Sequence, residues 1–110
     1  MATWIITAKL TANAIAGLMD RPEDRRAALD SLVAAADGDL TEYYFTTGEM
    51  DLLMIMEAEG AETCARVAMV MAQAGMVADT RSMRGWTTVE YAEICREAAG
   101  MAGAYRTPGG

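Results

Sequence analysis

The apolar run Leu52-Leu53-Met54-Ile55-Met56 lacks the alternation of a half-buried strand. Successive strand residues point to opposite faces, so an unbroken run makes both faces apolar and both need cover. With Tyr43-Tyr44-Phe45-Thr46-Thr47-Gly48-Glu49 before it, the run predicts a hairpin of strands over 40–47 and 50–58. A tight turn at Gly48 joins them. Trp4, Ile5, Ile6 and Thr7 give 3–10 the β-branched and aromatic character of a first strand. Thr11 then reads as the N-cap of a helical piece over 12–18. Asp20-Arg21-Pro22 interrupts that piece, and because proline suits a first helical turn, a fresh helix is expected near Pro22.

Ala28, Leu29, Leu32, Val33 and Ala36 recur at helical spacing, and Gly38 is expected to stop that helix. Over 60–75, Ala61, Cys64, Ala65, Ala68, Met71 and Ala72 place small residues on one side of a helix, which can then lie close to a sheet. The extended pattern returns over 76–86 with polar Asp79, Thr80, Arg81 and Ser82 inside it, as in a partly exposed or edge strand. Thr87 and Glu90 match a capping box, and Trp86 and Tyr91 take the staple positions around it. A helix over about 88–99 follows, then a glycine-rich tail over 100–110 in which Tyr105 is the one candidate anchor.

This order predicts an α+β fold: a ferredoxin-like βαββαβ unit with a four-stranded antiparallel sheet, helices on one face and an extra C-terminal helix. One domain over 1–99 with a flexible tail over 100–110 is the expected organisation. The chain has helix enough for one sheet face and little left for the other, so a second copy is expected to cover it, in a dimer or a higher homo-oligomer. Leu53, Ile55 and Met54 are the candidate interface residues.

Composition narrows the function classes. A hydrophobic content of 53% marks a globular chain, and no apolar run approaches the roughly 20 residues of a membrane span. The first residues show neither a basic segment nor a small-residue cleavage site, so a cytoplasmic location is expected, with no membrane partner. Sixteen acidic against nine basic residues leave a net charge of −7 without a basic face, which argues against nucleic acid. Histidine is absent, which removes the commonest ligand for zinc and haem and the commonest acid-base group near neutral pH. No metal or other cofactor is expected. Cys64 and Cys95 form no paired motif and read as two small buried hydrophobes in a reducing compartment.

No residue stands out as catalytic. Trp4, Tyr43, Tyr44 and Trp86 could line a pocket for a small apolar or aromatic ligand, with Asn13 orienting a carbonyl and Asp51 presenting a carboxylate at its mouth. Plain packing is the better account of the aromatics, and a solvated helix position the better account of Asn13. Gly48 and Asp51 form a turn motif, the glycine supplying a positive φ and the aspartate accepting backbone hydrogen bonds. Asp51 and Glu57 lie about 20 Å apart along an extended strand and cannot act as a catalytic pair. Met54-x-Met56 and Met69-x-Met71 invite a copper reading, but ten methionines spread over the chain fit irregular core filling better. Arg81 and Arg84 fall on opposite faces of a regular strand, each free to pair with a surface carboxylate. The run from Arg21 to Arg26 reads as a solvated helix start.

The turn Thr46-Thr47-Gly48-Glu49-Met50-Asp51 with the following Leu-Leu-Met-Ile-Met-Glu-Ala strand resembles the GYD-domain family of small bacterial proteins. The resemblance extends from Trp4 to about Ile94 through the alanine-rich helix, Gly75-Met76-Val77 and Arg84-Gly85-Trp86-Thr87. Met50 stands where the naming motif has tyrosine, so a role resting on that ring does not carry over. The resemblance implies a ferredoxin-like fold of the dimeric α/β-barrel kind and brings no particular reaction. A binding or interaction module that oligomerises through its sheet is therefore expected. The alternative is a cofactor-free enzyme or binder acting on an aromatic or quinone-like molecule held between sheet and helices, by analogy of fold.

Overall fold

The computed structural model describes residues 1–110. The elements run β1 (Ala2–Leu10), α1 (Ala12–Asp20), α2 (Arg26–Ala35), β2 (Asp39–Phe45), β3 (Leu52–Ala58), α3 (Ala61–Gln73), β4 (Val77–Gly85) and α4 (Thr88–Met101), with a 3-10 turn over Ala102–Ala104. All strand pairings are antiparallel and the sheet order is β2-β3-β1-β4, the ferredoxin-like arrangement expected from the element order. The two most apolar strands hold the centre. The polar strand β4 lies at an edge, as its pattern predicted.

The pleat divides β3 cleanly. Leu52, Met54, Met56 and Ala58 are buried, whereas Leu53, Ile55 and Glu57 are only half-buried. Ile6 and Ala8 of β1 join the buried set and meet Leu29 and Val33 of α2 and Cys64, Val67 and Met71 of α3. Met54 therefore belongs to the sealed core and leaves the set of interface candidates. Its register partners Ile6 and Tyr43 share the helix-covered side, while Leu53 and Ile55 face away from it.

Local chemistry moves several boundaries. Helix α2 begins at Arg26 rather than near Pro22; its N-cap Arg25 carries no side-chain cap, and Asp24 Oδ1 accepts the Arg26 N–H at 2.8 Å in an Asx turn that leads into it. At the other end Asp37, not Gly38, takes the left-handed conformation, with φ 65°. Gly38 serves close packing instead: a Cβ there would lie 3.0 Å from Thr63 Cγ2 and 3.1 Å from Val33 Cγ1. The hairpin connection spans 46–51 and is looser than a tight turn, closed by Thr46 N–H donating to Asp51 O at 2.8 Å and the Thr46 hydroxyl donating to Met50 O at 2.8 Å. Gly48 has φ 107°, the positive value expected of it.

Both predicted helix caps exist. The Thr11 hydroxyl accepts the Ala14 N–H at 3.0 Å, and Thr87 and Glu90 form the reciprocal capping box at 3.1 and 2.8 Å. Glu90's carboxyl sits below its ordinary value because the Thr87 N–H donates to it. Helix α4 continues through Gly100 to Met101, two residues into the predicted tail, since one glycine costs a capped helix only about 1 kcal/mol. Cys64 is buried as expected, but Cys95 is exposed on α4. No helix is long and apolar enough to cross a membrane.

Candidate functional site

Two surfaces present chemistry, one on each side of the sheet. On the helix side, α2 and α3 diverge above β2 and leave a hollow of about 120 Å³ between them. Leu29 and Met71 form buried parts of its wall, and Ala28 and Ala74 are too small to close it. Tyr43 and Arg25 supply its only large polar groups. Burial raises the Tyr43 phenol above its ordinary value, and the Arg25 guanidinium pulls it the other way. Arg25 is not free, since its Nη1 lies 2.9 Å from Glu23 Oε1.

Arg25 and Met76 also border two more open depressions toward α1, of about 250 and 260 Å³, the second of which includes Asn13. The result is an apolar groove with a guanidinium at its mouth. It lacks a nucleophile paired with a base, and no cluster of three or more Cys, Asp or Glu side chains assembles a metal site. A hollow of about 120 Å³ is smaller than the ~300 Å³ at which pockets begin to enclose drug-sized ligands.

Of the six pocket candidates, Tyr43 lines this hollow, and Asn13 lines the neighbouring depression that shares Arg25, Ala74 and Met76 with it. The others go elsewhere. Trp4 and Trp86 flank Arg84, whose guanidinium carbon lies 6.0 and 5.2 Å from their ring centres, and Trp4 Nε1–H also donates to Ala58 O at 3.3 Å. Tyr44 is exposed on the other sheet face, donating its hydroxyl to Glu42 Oε2 at 2.8 Å. Asp51 is neither a cleft carboxylate nor a cap on its own turn: Oδ2 accepts the Leu10 N–H at 2.9 Å, tying the hairpin to the end of β1. Arg25 and Met76 were not singled out in advance. Arg25 sits in a charge run that fits a solvated helix start, and only the three-dimensional divergence of the helices gives it a groove to face.

On the opposite side the sheet is bare. Register places Glu42, Ile55, Ile5 and Met83 in one row across all four strands, with Tyr44, Leu53, Thr7 and Arg81 in the next and Asp39, Glu57, Thr3 and Gly85 in a third. The middle of this face is apolar and its edges are polar. Thr3 Oγ1–H donates to Glu57 Oε1 at 2.7 Å at one end, and Arg81 pairs with Glu49 at 3.2 Å and Asp79 at 3.4 Å at the other.

The GYD-domain family model matches residues 4–95. The chain belongs to the GYD-domain family. Among solved structures, this GYD-domain protein is similar to FFRP-DM1, with TM-score 0.50 and 18% identity over 78% of this chain and 100% of that one. It also matches the hypothetical protein PHS023 from Pyrococcus horikoshii, with TM-score 0.49 and 18% identity over 79% of this chain and 92% of the other. Protein Atu4242 from Agrobacterium tumefaciens gives TM-score 0.49 and 18% identity, covering 80% and 94% of the two chains. No curated protein sequence matches this chain. At 18% identity the likeness to FFRP-DM1 speaks for the fold alone.

Proposed function

We infer that this GYD-domain protein is a binding or interaction module that associates with a second copy of itself across the bare sheet face. The observation behind this reading is the half-buried apolar patch of Ile5, Leu53 and Ile55, bordered by Met83, Tyr44 and charged edge residues. An apolar centre inside a polar rim is how protein interfaces are built, and a matching face on a second copy closes the assembly symmetrically. The unpaired thiols of Cys64 and Cys95 suit a reducing compartment, the cytoplasm in this reading.

Sedimentation equilibrium across a dilution series tests it. A mass above one chain at micromolar concentration, falling on dilution, is expected; a single folded chain throughout that range would overturn the reading.

The α2–α3 groove supports a second reading, a site for a small aromatic or quinone-like molecule. Its apolar wall, with Tyr43 and Arg25 as its only large polar groups, favours a flat ligand carrying one polar group. Titration with 1,4-naphthoquinone should then shift the protein's intrinsic fluorescence, and Tyr43→Ala should abolish the shift. A shift that persists in Tyr43→Ala would remove the groove from consideration.

A further inference from the structure

Helix α4 stands apart from the rest of the molecule. No residue of it is buried, and its hydrogen bonds stay within residues 87–105. The chain's radius of gyration is 17.9 Å, against about 13 Å for a compact domain of this length, and the molecule is 60 Å along its longest axis. Yet α4 has the residues of a packed helix. Tyr91, Ile94, Ala98 and Met101 follow one another at steps of three and four, the spacing that lines up one helix face, while the pair Glu93 and Arg96 occupies the opposite side. Tyr91 is 56% exposed and Met101 68%. Water is a poor neighbour for such a stripe, and the protein's own body does not cover it.

The bare sheet face supplies the second half of the argument. Four strands at about 4.8 Å spacing and roughly 25 Å length present about 500 Å². A stable interface of ordinary size takes about 800 Å² from each partner. A helix of 14 residues, about 21 Å long and about 10 Å wide, adds about 200 Å² and makes up most of the difference. Helix α4 starts three residues after Gly85, whose row closes one end of that face, so it leaves the sheet at the margin of the same face.

The geometry points to α4 as an arm covered by a second copy of this chain along Tyr91, Ile94, Ala98 and Met101, extending the contact that the sheet face begins. This rests on the self-association inferred above and assigns to it residues outside the sheet. The charged pair Glu93 and Arg96 then remains in water.

Two measurements on the full chain test the arm. Ile94→Glu replaces an exposed residue with a better helix former, so the domain stays folded; it should raise the dissociation constant about tenfold or more, whereas Arg96→Gln on the polar side should leave it unchanged. The native thiols supply the second readout, because Cys64 is buried and Cys95, beside Ile94, is exposed. Maleimide labelling of Cys95 should slow about tenfold as concentration rises through the dissociation constant. If Ile94→Glu associates like the parent and Cys95 labels at one rate throughout, the arm is wrong while the sheet contact stands. A parent chain that stays single at all concentrations removes both.

Discussion

Met54→Glu and Ile55→Glu place the same carboxylate on neighbouring residues and opposite faces of β3, so they separate folding from assembly. Met54 is 1% exposed among Ile6, Val67 and the rest of the core. Losing its burial costs about 1.5–3 kcal/mol and an unpartnered carboxyl adds about 1–3, giving about 3–6 kcal/mol. Against a total of about 5–15 kcal/mol, this is enough to lower Tm by about 12 °C or more. Ile55 faces outward beside Ile5 and carries little of the single chain's stability. In a symmetric pair both copies lose the remaining half of its burial, about 1.5–3 kcal/mol in all, which corresponds to a dissociation constant raised about 10–10²-fold. Sedimentation equilibrium reads the association, and calorimetry at a concentration where the parent is already dissociated reads the fold without the oligomer's contribution. Met54→Glu should then melt far below the parent, and Ile55→Glu within a few degrees of it. Ile55→Glu with an undiminished mass, or with a melting loss equal to that of Met54→Glu at dilution, would refute the division of β3 into a sealed and an interface face.

Gly38→Ala should destabilise by about 1–3 kcal/mol in denaturant unfolding, because the new methyl falls within 3.1 Å of Val33 and Thr63 at a place where Thr63 is pinned by its hydrogen bond to Ala36 O. A neutral result would show that Thr63 and Val33 yield freely. Asp51→Ala should cost about 1–2 kcal/mol through the stranded Leu10 N–H, and hydrogen exchange at Leu10 should accelerate with it. Unchanged exchange would mean that another acceptor takes over that amide.

The fold was legible because its signals are local and mutually consistent. The two-faced run of β3, the caps at Thr11 and Thr87 and the polar middle of β4 each depend on neighbours within a few residues. The misplacements share a different cause: they turn on contacts distant in the chain. Gly38 looks like a helix stop until Thr63 is seen 3.0 Å from where its Cβ would be. Asp51 looks like a turn residue until the Leu10 amide is found on its carboxylate. Met54 and Ile55 cannot be told apart by hydropathy, only by which of them shares a side with Ile6. The groove was least legible, since Arg25, Tyr43 and Met76 come from three separate segments and none carries a motif.

The two candidate surfaces are not independent, because β2 belongs to both. Tyr43 points to the groove and its neighbour Tyr44 to the bare face, and their register partners are Met54 in the core and Leu53 on the bare face. A molecule seated against Tyr43 bears on an edge strand whose other side meets the second copy in the proposed assembly. If it shifts that strand, binding and association become coupled, and linkage requires the coupling to be equal in both directions. If β2 stays fixed by its pairing with β3, the two events proceed separately, since the sheet keeps the ligand and the partner apart. The strand's construction favours the second case. It is held to β3 on both sides of the irregularity between Leu40 and Glu42, and Arg26 of α2 donates to Leu40 O at 3.2 Å beside it. A strand anchored to a central strand and to a helix transmits little between its faces, so a groove ligand should leave the dissociation constant of the assembly where it is.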